Sequence, residues 1–342
     1  MKKSDLFVFF HVQTTCTWIY VLIIAFIIAS CAKKYKVVES FPTEKMLLGD
    51  KITVLDSLYS PFAVYWDEGK LLFSTKGSYH VAIYDEKEQT IKTVLRKGNG
   101  HDEWIAPMIT TQKVTIGGSQ YTCVLERSTS KLYGINFEDN SSEWLCLQDF
   151  RKMNIPGIRN VFLLSDSTYR GIKDDEVCDL FEYSNKKKEL KEEEIGIDHT
   201  LFSGNSRYLS QNMMSYNETK RKMAIAYYAF PYLLLLNEND STPFCIIQIG
   251  ESVPKYNKES STDPHLYILD MCSTDKHIYM LYDEPLHEDK TSILVFDWEG
   301  NPIAKYLTNR MSAFAVDEEN SRIYALNEDD TEGVCSVYYF GR

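Results

Sequence analysis

No short signature of a ready-made active site occurs in the chain. There is no Cys-x-x-Cys or Cys/His pair at metal spacing, no pair of histidines four residues apart, and no Gly-x-Ser-x-Gly elbow. The first two absences leave no local zinc site, and the third leaves no nucleophile elbow. Positive charge is scarce: 37 lysines and arginines face 49 aspartates and glutamates, a net charge of −12, and no basic run is longer than Lys186-Lys187-Lys188. Such a chain is a poor nucleic-acid binder, because phosphate recognition needs clustered cations. Glycine and proline number only 16 and 10, against 23 tyrosines and 17 phenylalanines. That balance describes a packed globular chain rather than a disordered one.

Long hydrophobic runs are missing too. Trp18–Ile28 is an apolar run of about eleven residues, too short to span a bilayer comfortably but suited to the core of a signal peptide. Lys2 and Lys3 open the chain, and Ile28-Ala29-Ser30-Cys31 closes the apolar run. An aliphatic residue, two small residues and a cysteine resemble the lipobox of bacterial lipoproteins. Residues 1–30 are therefore expected to be a lipoprotein signal peptide, with Cys31 carrying the lipid that anchors the chain to a membrane. Residues 31–44, including the polar stretch Lys33–Glu44, read as a lipid-anchored tether, and 45–342 as the folded domain. No aspartate and no acidic run follows Cys31, which favours an outer-membrane lipoprotein facing the periplasm. Cys123, Cys146, Cys178, Cys245, Cys272 and Cys335 then remain. They are expected to be buried thiols, although six cysteines allow fifteen disulfide pairings that sequence cannot choose among.

What the chain has in abundance is one repeated phrase. Lys70–Asp85 reads as two apolar runs joined by a short polar turn containing Gly77, the pattern of a β-hairpin. The pairs Tyr121–Glu126 with Lys131–Phe137, Thr168–Ile172 with Asp179–Tyr183, and Lys222–Tyr227 with Tyr232–Asn237 repeat it. So do His277–Tyr282 with Ser292–Asp297 and Arg322–Leu326 with Val334–Phe340. Six hairpins at intervals of roughly 45 to 55 residues point to a propeller or solenoid. The fold expected is all-β: a six-bladed β-propeller of four-stranded antiparallel blades. The last blade, however, runs out of chain one strand short. The isolated Lys51–Leu55 is expected to supply that strand by pairing with Val334–Phe340, closing the ring and covering an edge that would otherwise invite aggregation. Leu233–Leu236 reads as a strand buried between blades, and the charge run Lys186–Glu194 as a solvated turn and outer strand.

Between the first two blades lies Leu95-Arg96-Lys97-Gly98-Asn99-Gly100-His101-Asp102-Glu103-Trp104. This resembles the hallmark of the TolB-like six-bladed β-propeller lipoproteins of Gram-negative envelopes, with a Gly-x-Gly turn, a polar pair, a glutamate and an aromatic residue. Ile293–Asn301 and Ala313–Asn327 also look like that family's last two blades. The resemblance implies a cell-envelope propeller and no particular activity. Physically, Gly98 and Gly100 are expected to allow positive φ in the crossing. Asp102 or Glu103 would accept backbone N–H groups there, and Trp104 would cover the gap between blades. A phosphate-cradling role for these glycines needs a strand–turn–helix context that is missing.

One further pattern is non-random. The turns expected on the face of the inter-blade crossings carry Asp174, Asp175, Glu176, Asp283, Glu284, Glu288, Asp289, Glu328, Asp329, Asp330 and Glu332. Carboxylates so placed suit Ca²⁺ or a cationic partner, and equally serve solubility. No Asp-x-[Asp/Asn]-x-[Asp/Asn]-Gly loop accompanies them, so no cofactor is expected. His80, His101, His199, His265, His277 and His287 are scattered and read as structural. The function expected is a non-catalytic envelope lipoprotein that binds a protein or glycan through its loop-rich face. The alternative is a metal-dependent hydrolase or lyase with a cation in the central channel, which needs three or more carboxylate or amide side chains at the channel mouth. Glycan binding through tryptophan would require Trp66, Trp104, Trp144 or Trp298 on the rim, whereas packing between blades is expected of them.

Overall fold

The computed structural model describes residues 34–100, 102–137, 143–155, 157–165, 167–173, 179–195, 211–251, 265–284, 289–328 and 333–341. Each sequence hairpin forms the middle of an antiparallel sheet, and six such sheets make the blades. Blade 1 is Pro61–Asp67, Lys70–Thr75, Tyr79–Asp85 and Thr90–Arg96; blade 2 is Pro107–Ile116, Ser119–Glu126, Lys131–Asn136 and Glu143–Asp149. Blade 3 is Ile158–Ser165, Thr168–Lys173, Asp179–Ser184 and Glu189–Glu194; blade 4 is Asn212–Asn217, Lys222–Tyr227, Tyr232–Asn237 and Cys245–Ile249. Blade 5 is Ile268–Ser273, His277–Asp283, Lys290–Asp297 and Pro302–Asn309. Blade 6 has only Met311–Asp317, Arg322–Asn327 and Cys335–Tyr339 from the end of the chain.

Burial explains why the hairpins were so visible. The two middle strands of a blade touch neighbouring blades on both faces, so Leu71, Leu72 and Phe73 are all buried, as are Leu233 through Leu236. The fourth strand meets solvent, and Thr90–Arg96 is mostly exposed or half-buried. Glu189–Glu194 is likewise a largely exposed outer strand, paired with Asp179–Ser184, as the charge run suggested. The cores lie between blades: Leu233, Leu235 and Ile247 of blade 4 pack with Ile278, Met280, Leu294 and Phe296 of blade 5. Trp298 is fully buried in that seam and donates its indole N–H to the Thr274 carbonyl at 3.0 Å. Cys123, Cys245 and Cys335 are buried, Cys272 half-buried and Cys146 exposed, all five as free thiols; Cys178 lies outside the described residues.

The ring closes across the termini as expected, with the closing strand two residues earlier. Gly49–Lys51 pairs antiparallel with blade 6, placing Gly49 opposite Tyr338, Asp50 opposite Val337 and Lys51 opposite Ser336. The Ile52 N–H continues the ladder to the Cys335 carbonyl at 2.9 Å. Thr53–Leu55, expected as the end of that strand, instead belong to a 3₁₀ turn over Thr53–Ser57. The reason is Leu55, which is fully buried with Val64 and Phe73 of blade 1 and Ala313 and Val337 of blade 6. A straight edge strand could not deliver it there. The backbone also comes so close to Tyr338 that a Cβ on Gly49 would meet the ring at 2.6 Å.

The stretch read as a tether lies along the propeller. Lys34–Val38 adds a parallel strand to Cys245–Ile249, and Glu44–Met46 adds another to Lys305–Leu307. Residues 34–51 therefore pass along the outer edges of blades 4, 5 and 6 in turn, covering three sheet edges. Lys36 fastens the first turn of this belt to the Gly300 carbonyl at 2.8 Å and Asn301 Oδ1 at 2.9 Å.

Candidate functional site

In each blade the first strand lines the central channel, while the turn between strands two and three and the crossing to the next blade share one face. On that face the channel opens into a cavity of about 820 Å³ whose wall takes residues from all six blades. Blade 1 contributes Tyr65 and Ser74, blade 2 Thr110 and Arg127, and blade 3 Arg159 and Asn160. Asn212 and Tyr228 come from blade 4, Asp270 from blade 5, and Ser312 from blade 6. No local motif links them.

Asp270 is the single carboxylate among the described cavity residues. It touches the cavity yet sits deep between the innermost strands. One oxygen accepts the Phe314 N–H of blade 6 at 3.0 Å and the other its neighbour's, Met271, at 2.8 Å. Burial raises its pKa to about 6, and the two N–H groups pull only partly against that. Its charge also reaches two phenols. Burial pushes the Tyr228 hydroxyl up to about 12, with Asp270 adding to the shift while Arg159 and Arg127 oppose it. Tyr65 is raised for the same two reasons, burial first and Asp270 second. Five blades thus place ionisable groups within electrostatic reach of one space.

The cavity wall brings together three amides, Asn160, Gln211 and Asn212, with the Asp270 carboxylate. Asn160 and Asp270 are tied to backbone. Asn160 accepts the Val161 N–H at 2.9 Å and donates to the Met214 carbonyl at 3.0 Å, and both oxygens of Asp270 are engaged as above. Among the described residues no group of three or more histidine, cysteine, aspartate and glutamate side chains is placed to hold a metal ion.

The Gly-x-Gly crossing forms the cavity's blade 1–blade 2 rim. Glu103 folds back so that the Gly100 N–H donates to its carboxylate at 2.8 Å. A Cβ on Gly98 would lie 2.0 Å from Glu103 Oε2, and one on Gly100 would lie 3.0 Å from it. Room for this carboxylate is thus what both glycines provide, and only Gly98, at φ 159°, has a positive φ. Asn99 is exposed in the turn, and the Trp104 N–H and carbonyl hold Arg96 and Gly98 at 2.9 and 3.0 Å. The Trp104 ring is buried between blades with Leu72, Val81 and Val124, and meets Tyr133 edge-on at 4.8 Å. Sequence reasoning missed Glu126, which is buried and accepts the N–H groups of Ile105 at 3.1 Å and Ala106 at 2.9 Å and the Ser128 hydroxyl at 2.6 Å. It sits at the end of a strand of apolar residues, and that intrusion of charge was the available signal.

The described carboxylates of the acidic turns, Asp283, Glu284, Asp289 and Glu328, form ion pairs. Asp283 and Glu328 share Arg310, at 2.6 and 2.8 Å, and Asp283 also lies 3.4 Å from His265. Glu284 contacts Lys305 at 2.7 Å and accepts the Ser292 hydroxyl at 2.6 Å, and Asp289 lies 3.6 Å from Lys290. Asp174, Asp175, Glu176, Glu288, Asp329, Asp330 and Glu332, like Cys31 and His101, lie outside the described residues. The tryptophans pack inward: Trp66 stacks on Tyr324 at 5.3 Å, and Trp144 tilts against Trp104 at 5.5 Å. His80 bonds the Trp104 carbonyl at 2.9 Å and His277 pairs with Glu318.

A family model described as a TolB-like six-blade propeller matches residues 39–319. Among solved structures, a Bacteroides fragilis protein described as exported is 12% identical with a TM-score of 0.52, covering 89% of this chain and 97% of its own. A DUF4221-family member from Bacteroides vulgatus is 14% identical with a TM-score of 0.49, covering 87% of this chain and 96% of its own. A luciferin-regenerating enzyme is 9% identical with a TM-score of 0.48, covering 85% and 94%. No curated protein matches the sequence.

Proposed function

The chain belongs to the TolB-like six-bladed propeller family, and on that premise we propose that it is a non-catalytic cell-envelope lipoprotein that binds its partner at the channel mouth. The observation that carries this reading is the cavity of about 820 Å³, open on the loop-rich face and walled by all six blades. Binding sites of this kind are concave, largely pre-formed and lined by apolar surface with a few polar groups. A protein loop or a glycan segment entering the mouth fits that description.

The anchor reading gains a geometric consequence. Lys34–Val38 runs parallel to Cys245–Ile249, the fourth strand of blade 4, which runs toward the mouth face. Lys34 therefore starts at the opposite face. Cys31 lies three residue steps before it, a reach of about 10 Å. A lipid on Cys31 would hold the opposite face to the membrane and turn the mouth away from it.

One observation favours the enzyme alternative. A carboxyl group titrating near pH 6 beside two tyrosines suits general acid–base chemistry. Its two oxygens, however, are already engaged by backbone N–H groups, which suits a structural carboxylate better than a proton acceptor.

The test is a thermal-shift screen of the purified full-length protein against envelope glycans and peptides, repeated on Ser312→Trp. Ser312 is exposed and lines the cavity, so the indole plugs the mouth. A ligand that raises the melting temperature of the native protein and not of the plugged variant supports the reading. Equal shifts in both would overturn it.

A further inference from the structure

Several cations on the flanks of the blades meet carboxylates: Lys113 reaches Asp67 and Glu68, Lys222 reaches Glu299 at 2.7 Å, and Arg322 reaches Glu86 at 3.1 Å and Asp317 at 2.6 Å. Four other cations line the cavity. Lys76 comes from the blade 1 turn, Lys97 from the crossing to blade 2, Arg127 from the blade 2 turn and Arg159 from the first strand of blade 3. Among the described residues, Lys76, Lys97 and Arg127 have no carboxylate within salt-bridge distance, and all three are exposed.

The charge is one-sided. All four cations stand on the half of the mouth built by blades 1 to 3. The single acid among the described wall residues, Asp270, stands on blade 5, with Tyr228 and Ser312 also in the wall. Glu126, beside Arg127 in sequence, is turned into the crossing and held by backbone donors, so it does not offset the cations inside the cavity. Two large apolar side chains, Phe62 and Ile105, are 52% and 48% exposed on the same half of the rim. Cations gathered on one side of a low-dielectric concavity focus a positive potential there, and they do so despite the protein's overall negative charge. Arginine in this position favours planar or tetrahedral oxyanions through paired N–H donors.

We propose that the channel mouth binds an anionic ligand, with a carboxylate, sulfate or phosphate group held among Lys76, Lys97, Arg127 and Arg159 and a ring or apolar portion against Phe62 and Ile105. The proposal rests on the channel mouth being the binding site and adds the chemical class of what enters it. It assigns recognition to the cationic half of the mouth and orientation to the apolar pair beside it.

The experiment is titration calorimetry on the full-length protein with inorganic sulfate, inorganic phosphate, trigalacturonate and neutral maltotriose as probes. Each is measured at low and at physiological salt, on the native protein, on Lys97→Glu/Arg127→Glu and on Ser312→Trp. Binding of at least one anion, weakened tenfold or more by the double variant and by added salt, with maltotriose inert, is the expected result. The free ions distinguish a bare oxyanion site from one that needs the sugar rings. The native and double-variant proteins should melt within a few degrees of each other, since neither side chain is packed. Heat from none of the anions, or anion binding unchanged in the double variant, would overturn the anionic class. If maltotriose alone binds and the plugged variant loses it, the channel reading survives and the anionic class fails. Anion binding that survives the plug would place the site elsewhere and overturn both.

Discussion

Replacing Asp270 by asparagine should change how stability depends on pH more than it changes stability at any one pH. The carboxyl group has a folded pKa of about 6 against an ordinary value of 3.8, because burial disfavours the charged form. Between those two values the folded chain holds a proton that the unfolded chain has released. Stability from this group is therefore fully present below pH 3.8 and is lost as pH rises through 6. The shift corresponds to at most ~3 kcal/mol, at 1.36 kcal/mol per unit. Water in the cavity screens the charge, so about 2 kcal/mol is the expected swing. Asparagine keeps one oxygen acceptor and loses the other, so either Phe314 or Met271 gives up its bond, a roughly constant penalty of about 1 kcal/mol. The assay is urea unfolding of both proteins from pH 4 to pH 8. The difference between them should move by about 2 kcal/mol in favour of Asp270→Asn as pH rises. A difference constant within about 0.5 kcal/mol, the scatter of a silent substitution, would show that Asp270 carries no buried charge and would refute the reasoning.

Other perturbations have equally direct outcomes. Glu126→Ala strips the acceptor from the Ile105 and Ala106 N–H groups and should cost about 3 kcal/mol in denaturant unfolding, whereas a surface value below 0.5 kcal/mol would remove its role in the crossing. Gly49→Ala drives a methyl group into the buried Tyr338 ring and should cost about 1–3 kcal/mol, with blade 6 amides exchanging faster. Cys31→Ser should move the protein from the membrane to the soluble fraction on cell fractionation. With the anchor intact, a cysteine placed at Ser312 should react with a bulky maleimide in lipid vesicles more readily than one placed at Lys87, since Ser312 stands at the mouth and Lys87 in a turn of the opposite face; the reverse order would contradict the orientation.

The blades were legible because each middle strand is apolar on both faces and its turn is short and polar. Leu71-Leu72-Phe73 and Leu233 through Leu236 announce such strands without any tertiary information. The closing strand was legible from a count, since blade 6 lacks a fourth strand, but its position was not. Lys51–Leu55 has the composition of a strand, and only the need to bury Leu55 at the blade 6–blade 1 seam bends it into a 3₁₀ turn. The belt was missed because Lys34–Val38 and Glu44–Met46 are short, polar strands whose partners lie more than 200 residues away. Distance also hid the partners of Asp283, Glu284 and Glu328: Arg310, between blades 5 and 6, and Lys305, on the outer strand of blade 5. The cavity was the least legible feature. Its wall takes residues from strands and turns of all six blades, and the repeat that builds the blades carries no sign of which of those residues are alike in chemistry.

Where a ligand sits decides most directly whether the channel mouth is the binding site. Hydrogen exchange of the full-length protein, with and without the strongest ligand from the screen, maps this at once. Protection is predicted at the amides of residues 105–111, 127, 211–215, 228 and 269–271, which ring the mouth. Protection confined to the opposite-face turns, such as residues 86–89 and 318–321, with the mouth amides unchanged, would contradict it.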